Sequence, residues 1–150
     1  MEINTRDFGP IQVDNDAIYD FPSGLYGFEE DNKFAIFAQT YEDISFLYLQ
    51  SIEALDPCFL VFEPWDLYTN YTPVLSADDL AALEVKTVED LMFLVIANVP
   101  KSIEELSINI KSPIVLNPKT KKAQQVILQN PDYPIRYKPF LQDEKDGSSC

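Results

Sequence analysis

Short runs of β-branched, aromatic and aliphatic residues, each closed by a turn former, restrict most strongly how this chain can fold. Ile44-Ser-Phe-Leu-Tyr-Leu-Gln50 mixes alternation with strand-favouring residues, and Lys33 to Ala38 reads the same way. Cys58-Phe-Leu-Val-Phe62 and Leu91-Met-Phe-Leu-Val-Ile-Ala97 are continuous, which suits strands buried on both faces. Apolar residues return after short polar breaks in Ser107-Ile-Asn-Ile-Lys111, Ile114-Val-Leu116 and Gln125-Val-Ile-Leu128. Gly9, Pro22-Ser-Gly24, Asp56-Pro57, Asn117-Pro118 and Asn130-Pro131 supply the turns. One helix is predicted, where Ser76-Ala-Asp-Asp79 has the form of a capping box with Asp in place of Glu and opens Leu80-Ala-Ala-Leu83. Thr87–Asp90 and Ser102–Glu105 are single-turn candidates ahead of strands. Many short strands, few helices and Pro-rich turns read as an antiparallel barrel or sandwich.

Charge narrows the function. The first 110 residues hold 21 acids and 4 bases, and the remaining forty reverse the sign with 7 bases and 4 acids, for a net of −14. A surface of that sign repels phosphate backbones and suits a basic protein partner better than nucleic acid. The locally basic C-terminal strands, with Lys111, Lys119, Lys121 and Lys122, read first as a solvated Lys-rich hairpin, with a second partner surface as the alternative.

Catalytic and metal chemistry find little to work with. The chain has no histidine, which removes the commonest general base and zinc ligand. Four scattered glycines cannot build a phosphate-cradling loop. Asp14-Asn-Asp16 starts like a calcium loop but places Tyr19 where the sharp turn needs Gly, so a solvated turn is expected. Asp78 and Asp79 are adjacent on a helix and point apart, which leaves helix capping as their role. Cys58 has no basic residue within twenty positions and reads as a structural thiol, and Cys58 with Cys150 forms no metal spacing. No secretory signal opens the chain, and its longest apolar run falls far short of a membrane span. The expectation is a reduced cytoplasmic protein that is not an enzyme, with no cofactor, no metal and no membrane partner.

Phe62-Glu-Pro-Trp-Asp-Leu-Tyr-Thr-Asn-Tyr71 resists a bland account, since it sets the only Trp, two Tyr and two acids in a Pro-interrupted stretch behind a core strand. Pro64 makes continuation as a central strand unfavourable. Large rings there either cap the barrel end or anchor an interface, and the two roles can coexist.

Several stretches together resemble the FliW family of flagellar assembly factors: Phe21-Pro-Ser-Gly-Leu-Tyr-Gly-Phe-Glu29, Leu49-Gln-Ser51, Phe62-Glu-Pro-Trp-Asp-Leu-Tyr68, Asn109-Ile-Lys-Ser-Pro-Ile-Val-Leu-Asn117, Gln125–Leu128 and Tyr133-Pro-Ile-Arg136. The resemblance runs from about Thr5 to Arg136 in one order, with Tyr26, Ala123 and Tyr137 departing from the family pattern. It implies a mainly β fold, an antiparallel β-barrel-like single domain with one or two short helices over residues 1–140, followed by a polar flexible tail at 141–150. It also implies binding without catalysis. Members of the family bind the RNA-binding translational repressor CsrA, relieving repression of flagellin synthesis, and bind flagellin itself. The expected contact residues are Trp65, Tyr68 and Tyr71 as apolar anchors, Glu63 and Asp66 as a charged rim, and Asn109 and Lys111 from the later motif. A dedicated flagellin chaperone without CsrA binding is the first alternative, and a small-ligand-binding barrel the remote one.

Overall fold

The structure, a computed structural model, describes residues 1–141. Ten strands form in chain order: β1 (Glu2–Thr5), β2 (Gly9–Gln12), β3 (Ile18–Asp20), β4 (Lys33–Tyr41), β5 (Ile44–Ser51), β6 (Cys58–Phe62), β7 (Met92–Asn98), β8 (Ser107–Ile108), β9 (Ile114–Asn117) and β10 (Lys122–Gln125). Among the described residues one complete α-helix, α1 (Ala77–Ala82), and four 3₁₀ turns join the strands, and residues 139–141 are helical again. The strands follow the order β6-β5-β4-β3-β10-β9-β7, and β7 pairs back onto β6, which closes a seven-stranded barrel. Every seam is antiparallel except β3–β10, where Lys122 meets Asp20 in parallel. Closure leaves no sheet edge at that level for other chains to pair with.

Alternation decides what fills the barrel. Phe34 and Leu49 point inward with Phe21, Leu25, Val61, Leu94, Ile114 and Leu116, all essentially without solvent exposure. Their neighbours Ala35 and Phe37 point outward, where the β1–β2 hairpin covers them with Ile3 and Ile11. On the opposite wall, Phe93, Val95 and Val115 also point outward. They are buried beneath the long β6–β7 connection, the β7–β8 connection and the segment after β10, through Tyr71, Leu75 and Leu83, Leu106, and Val126 and Leu128 respectively. This second covered wall explains why β7 reads as a continuous apolar run: Leu94 faces the barrel interior while Phe93 and Val95 are buried outside it.

The predicted helix forms with half of its expected cap. Ser76 Oγ accepts from the Asp79 amide at 3.1 Å, while the Asp79 carboxylate turns to Gln124 Nε2 at 3.2 Å instead of reaching back. The single-turn candidates are 3₁₀ turns at Val88–Asp90 and Ile103–Glu105. Asp14–Asp16 leads into an exposed 3₁₀ turn, as its turn reading requires. Two strand predictions run too long. Ser107–Lys111 keeps only Ser107–Ile108 as strand, and Gln125–Leu128 leaves the ladder after Gln125, where Val126 and Leu128 donate singly to Pro113 and Lys111 carbonyls. The expected tail lies outside the described residues beyond Leu141.

Candidate protein-binding surface

The Phe62–Tyr71 segment leaves the sheet where its proline requires. Pro64 opens a 3₁₀ turn, Pro64–Asp66, and its ring is buried. The next residues then fold back over the outer wall of β7. Trp65 is 47% exposed but not loose. Its indole Nε1 donates to the Tyr71 carbonyl at 2.9 Å, and its ring stands edge-on to Tyr71 at 5.7 Å and to Phe93 at 5.8 Å. Such pairs add roughly 0.5–1.5 kcal/mol each beyond the area they bury.

Tyr71 corrects one expectation. It is 2% exposed, because its hydroxyl must donate to the Ile110 carbonyl at 2.7 Å beneath the surface. It therefore supports the surface and does not present itself there. Burial pushes its phenol well above the ordinary tyrosine range, with Tyr133 adding to the shift. Tyr133 stacks on Tyr71 at 5.1 Å and 17°, and its hydroxyl accepts from the Thr72 amide at 2.8 Å. Tyr68 is half-buried, standing edge-on to Tyr71, Tyr133 and Tyr137 at 6.1, 5.5 and 4.9 Å. The sequence reading missed Tyr133 and Tyr137 as members of this cluster; Tyr133 lies 62 positions beyond Tyr71 in the chain, and only its place in the Tyr133–Arg136 motif marked it.

Glu63 and Asp66 are exposed beside the indole. Asn109 and Lys111 are half-buried and committed to the fold. Asn109 Oδ1 accepts from the Ser112 amide at 3.0 Å, and Lys111 Nζ donates to the Asn130 carbonyl. They flank Ile110, so the Tyr71 hydroxyl ties the two expected motifs together even though their own side chains face inward bonds. Asn130 completes the support, accepting from the Val74 amide and donating to the Thr72 carbonyl, both at 2.9 Å.

Among the described residues no group of three or more His, Cys, Asp or Glu is placed to hold a metal, and no helix is long and apolar enough to cross a membrane. Cys58 is buried, and burial pushes its thiol up to about 11; Arg6 opposes that shift while Asp7 and Asp56 add to it. The cation absent from its sequence neighbourhood thus comes from the β1–β2 hairpin, and it is too weak to activate the thiol.

The FliW protein family pattern matches residues 2–139. A flagellar assembly factor FliW of Thermoanaerobacter pseudethanolicus is 36% identical over 149 residues, covering 99% of both chains. The same-named protein of Syntrophus aciditrophicus is 37% identical over 91% of this chain and 86% of its own, and that of Leptospira interrogans 34% over 93% of each. A crystal structure of the flagellar assembly factor FliW superposes with a TM-score of 0.82 at 28% identity, covering 93% of this chain and 97% of that one.

Proposed function

The chain belongs to the FliW family of flagellar assembly factors, and from that premise we propose that it is a cytoplasmic, non-catalytic regulator that binds two proteins, CsrA and flagellin. Binding CsrA relieves repression of flagellin synthesis, and free flagellin competes for the regulator and closes the loop. The observation that carries the reading is Trp65: a large ring half-open to solvent, yet held by one hydrogen bond and two ring contacts. A pre-positioned indole loses little freedom on binding, and Trp and Tyr dominate interface energetics. Tyr68 extends the apolar face, Glu63 and Asp66 rim it, and the net charge of −14 favours encounter with a basic RNA-binding protein. Tyr71, Asn109 and Lys111 hold the face in place from behind.

The ligand-binding alternative finds less support, since the barrel interior is filled by Phe21, Phe34, Leu49, Leu94, Ile114 and Leu116. The test is calorimetric titration of the purified chain with CsrA and, separately, with flagellin. Saturable binding to both supports the reading. Binding to flagellin alone establishes the chaperone alternative, and binding to neither overturns both.

A further inference from the structure

The β4–β5 hairpin outruns the barrel that it belongs to. β3 pairs with β4 only at Lys33 to Ala35, and β6 pairs with β5 only from Leu47 onward. Beyond those points the two strands continue as a bare ribbon to Tyr41 and Ile44. Its two-residue turn, Glu42-Asp43, lies in the left-handed region at φ 50 and 70. In such a hairpin the residues flanking the turn exchange both hydrogen bonds. The ladder bonds therefore fall at Tyr41/Ile44, Gln39/Phe46 and Phe37/Tyr48, and the amides and carbonyls of Ala38 and Thr40 face outward. No hydrogen bond fills them among the described residues.

Open edges are normally blunted by proline, lysine or short length. The free edge of β2 carries Pro10, but Phe37-Ala-Gln-Thr-Tyr41 carries neither proline nor charge. One face of the ribbon is an apolar stripe interrupted only by Gln39: Phe8 stands 5.0 Å from Tyr48, Phe37 stacks on Tyr48 at 5.6 Å, and Phe46 beside Gln39, Ile44 and Tyr41 follow. Tyr41 and Ile44 are 69% and 57% exposed at the tip, beside Glu42 and Asp43.

We propose that the Ala38–Tyr41 edge of β4 is a docking strand for an extended, basic segment of a partner protein, with apolar side chains at alternate positions that lie along the stripe. Main-chain bonds to Ala38 and Thr40 supply affinity, and Glu42 and Asp43 select lysine or arginine at the segment's end. A second copy of the chain is disfavoured as the occupant, because each copy carries a net of −14. The surface is separate from the Trp65 face, and the proposal stands or falls independently of it.

The test is residue-resolved amide exchange on the full chain with a capped Lys-Val-Thr-Val-Thr-Val-Lys peptide, and with its counterpart in which Glu replaces Lys. The Lys peptide is expected to slow exchange at Ala38 and Thr40 by about tenfold or more, with Gln39 and Tyr41 unchanged and the Glu peptide inactive. Thr40→Pro removes an outward amide and no ladder bond, so it should fold and lose the effect. Tyr41→Ser with Ile44→Ser should fold and weaken it. Absent protection, equal protection by the Glu peptide, or retained protection in Thr40→Pro would overturn the proposal. So would protection that needs no peptide and rises with protein concentration, which would mark self-pairing.

Discussion

The Tyr71 hydroxyl donates to the Ile110 carbonyl across 39 residues of sequence, and this bond fastens the irregular β6–β7 connection to the segment between β8 and β9. Both groups are buried, so neither has water as an alternative partner. The aromatic part of the candidate surface leans on Tyr71: Trp65 bonds to its carbonyl, and Tyr68 and Tyr133 pack on its ring.

Tyr71→Phe should preserve the ring contacts and strand the Ile110 carbonyl without a donor. A buried unsatisfied acceptor costs about 1–3 kcal/mol. Urea denaturation should show a midpoint lowered accordingly, with an unchanged slope.

Asn117→Ala should be at least as costly. Its Nδ2 donates to the Leu83 carbonyl at 2.7 Å at the end of α1, and its Oδ1 accepts from the Lys119 amide at 3.0 Å in the β9–β10 turn. Losing both strands two main-chain groups, and about 2–3 kcal/mol of stability should go with them. The same denaturation series measures it.

Alkaline pH should destabilise the fold from about pH 9 upward. The Cys58 thiol sits at about 11 in the folded protein against 9.0 ordinarily, and the Tyr71 phenol is raised from 10.0. The unfolded chain releases these protons first, so stability is intact below about pH 9 and falls as pH rises toward the folded values, by up to about 1.4 kcal/mol per pH unit per group. Melting temperature followed against pH should stay level below about 9 and then drop, and Cys58→Ala should make the drop between about 9 and 11 shallower.

CsrA binding should weaken with salt. Residues 1–110 carry a net of −17, and attraction between exposed charges is screened over about 8 Å at physiological ionic strength. Titrations at rising ionic strength should show a falling association rate; a flat response would remove steering from the account.

The strands β4, β5, β6, β7 and β9 were legible because their period and their turn residues agree: Cys58–Phe62 stands as read, and β7 differs by one residue at each end. β1 and β2 were not legible, since an edge hairpin holding Pro10, with only Ile3 and Ile11 turned to the core, leaves little alternation to detect. The parallel β3–β10 seam rests on a single residue pair that no local pattern encodes. In the candidate site, the Pro64 turn and the exposed Trp65 followed from composition, whereas the inward course of Tyr71 depended on an acceptor 39 residues away.

The most direct test of the binding account is Trp65→Ala, with stability and partner affinity measured on the same sample. Trp65→Ala removes one hydrogen bond and two ring contacts, so the variant should fold with a lowered melting temperature and lose at least about 2 kcal/mol in binding to CsrA or flagellin, the scale of an interface hot spot. A folded variant that binds both partners with parental affinity, or one that no longer folds, would contradict Trp65 as the anchor.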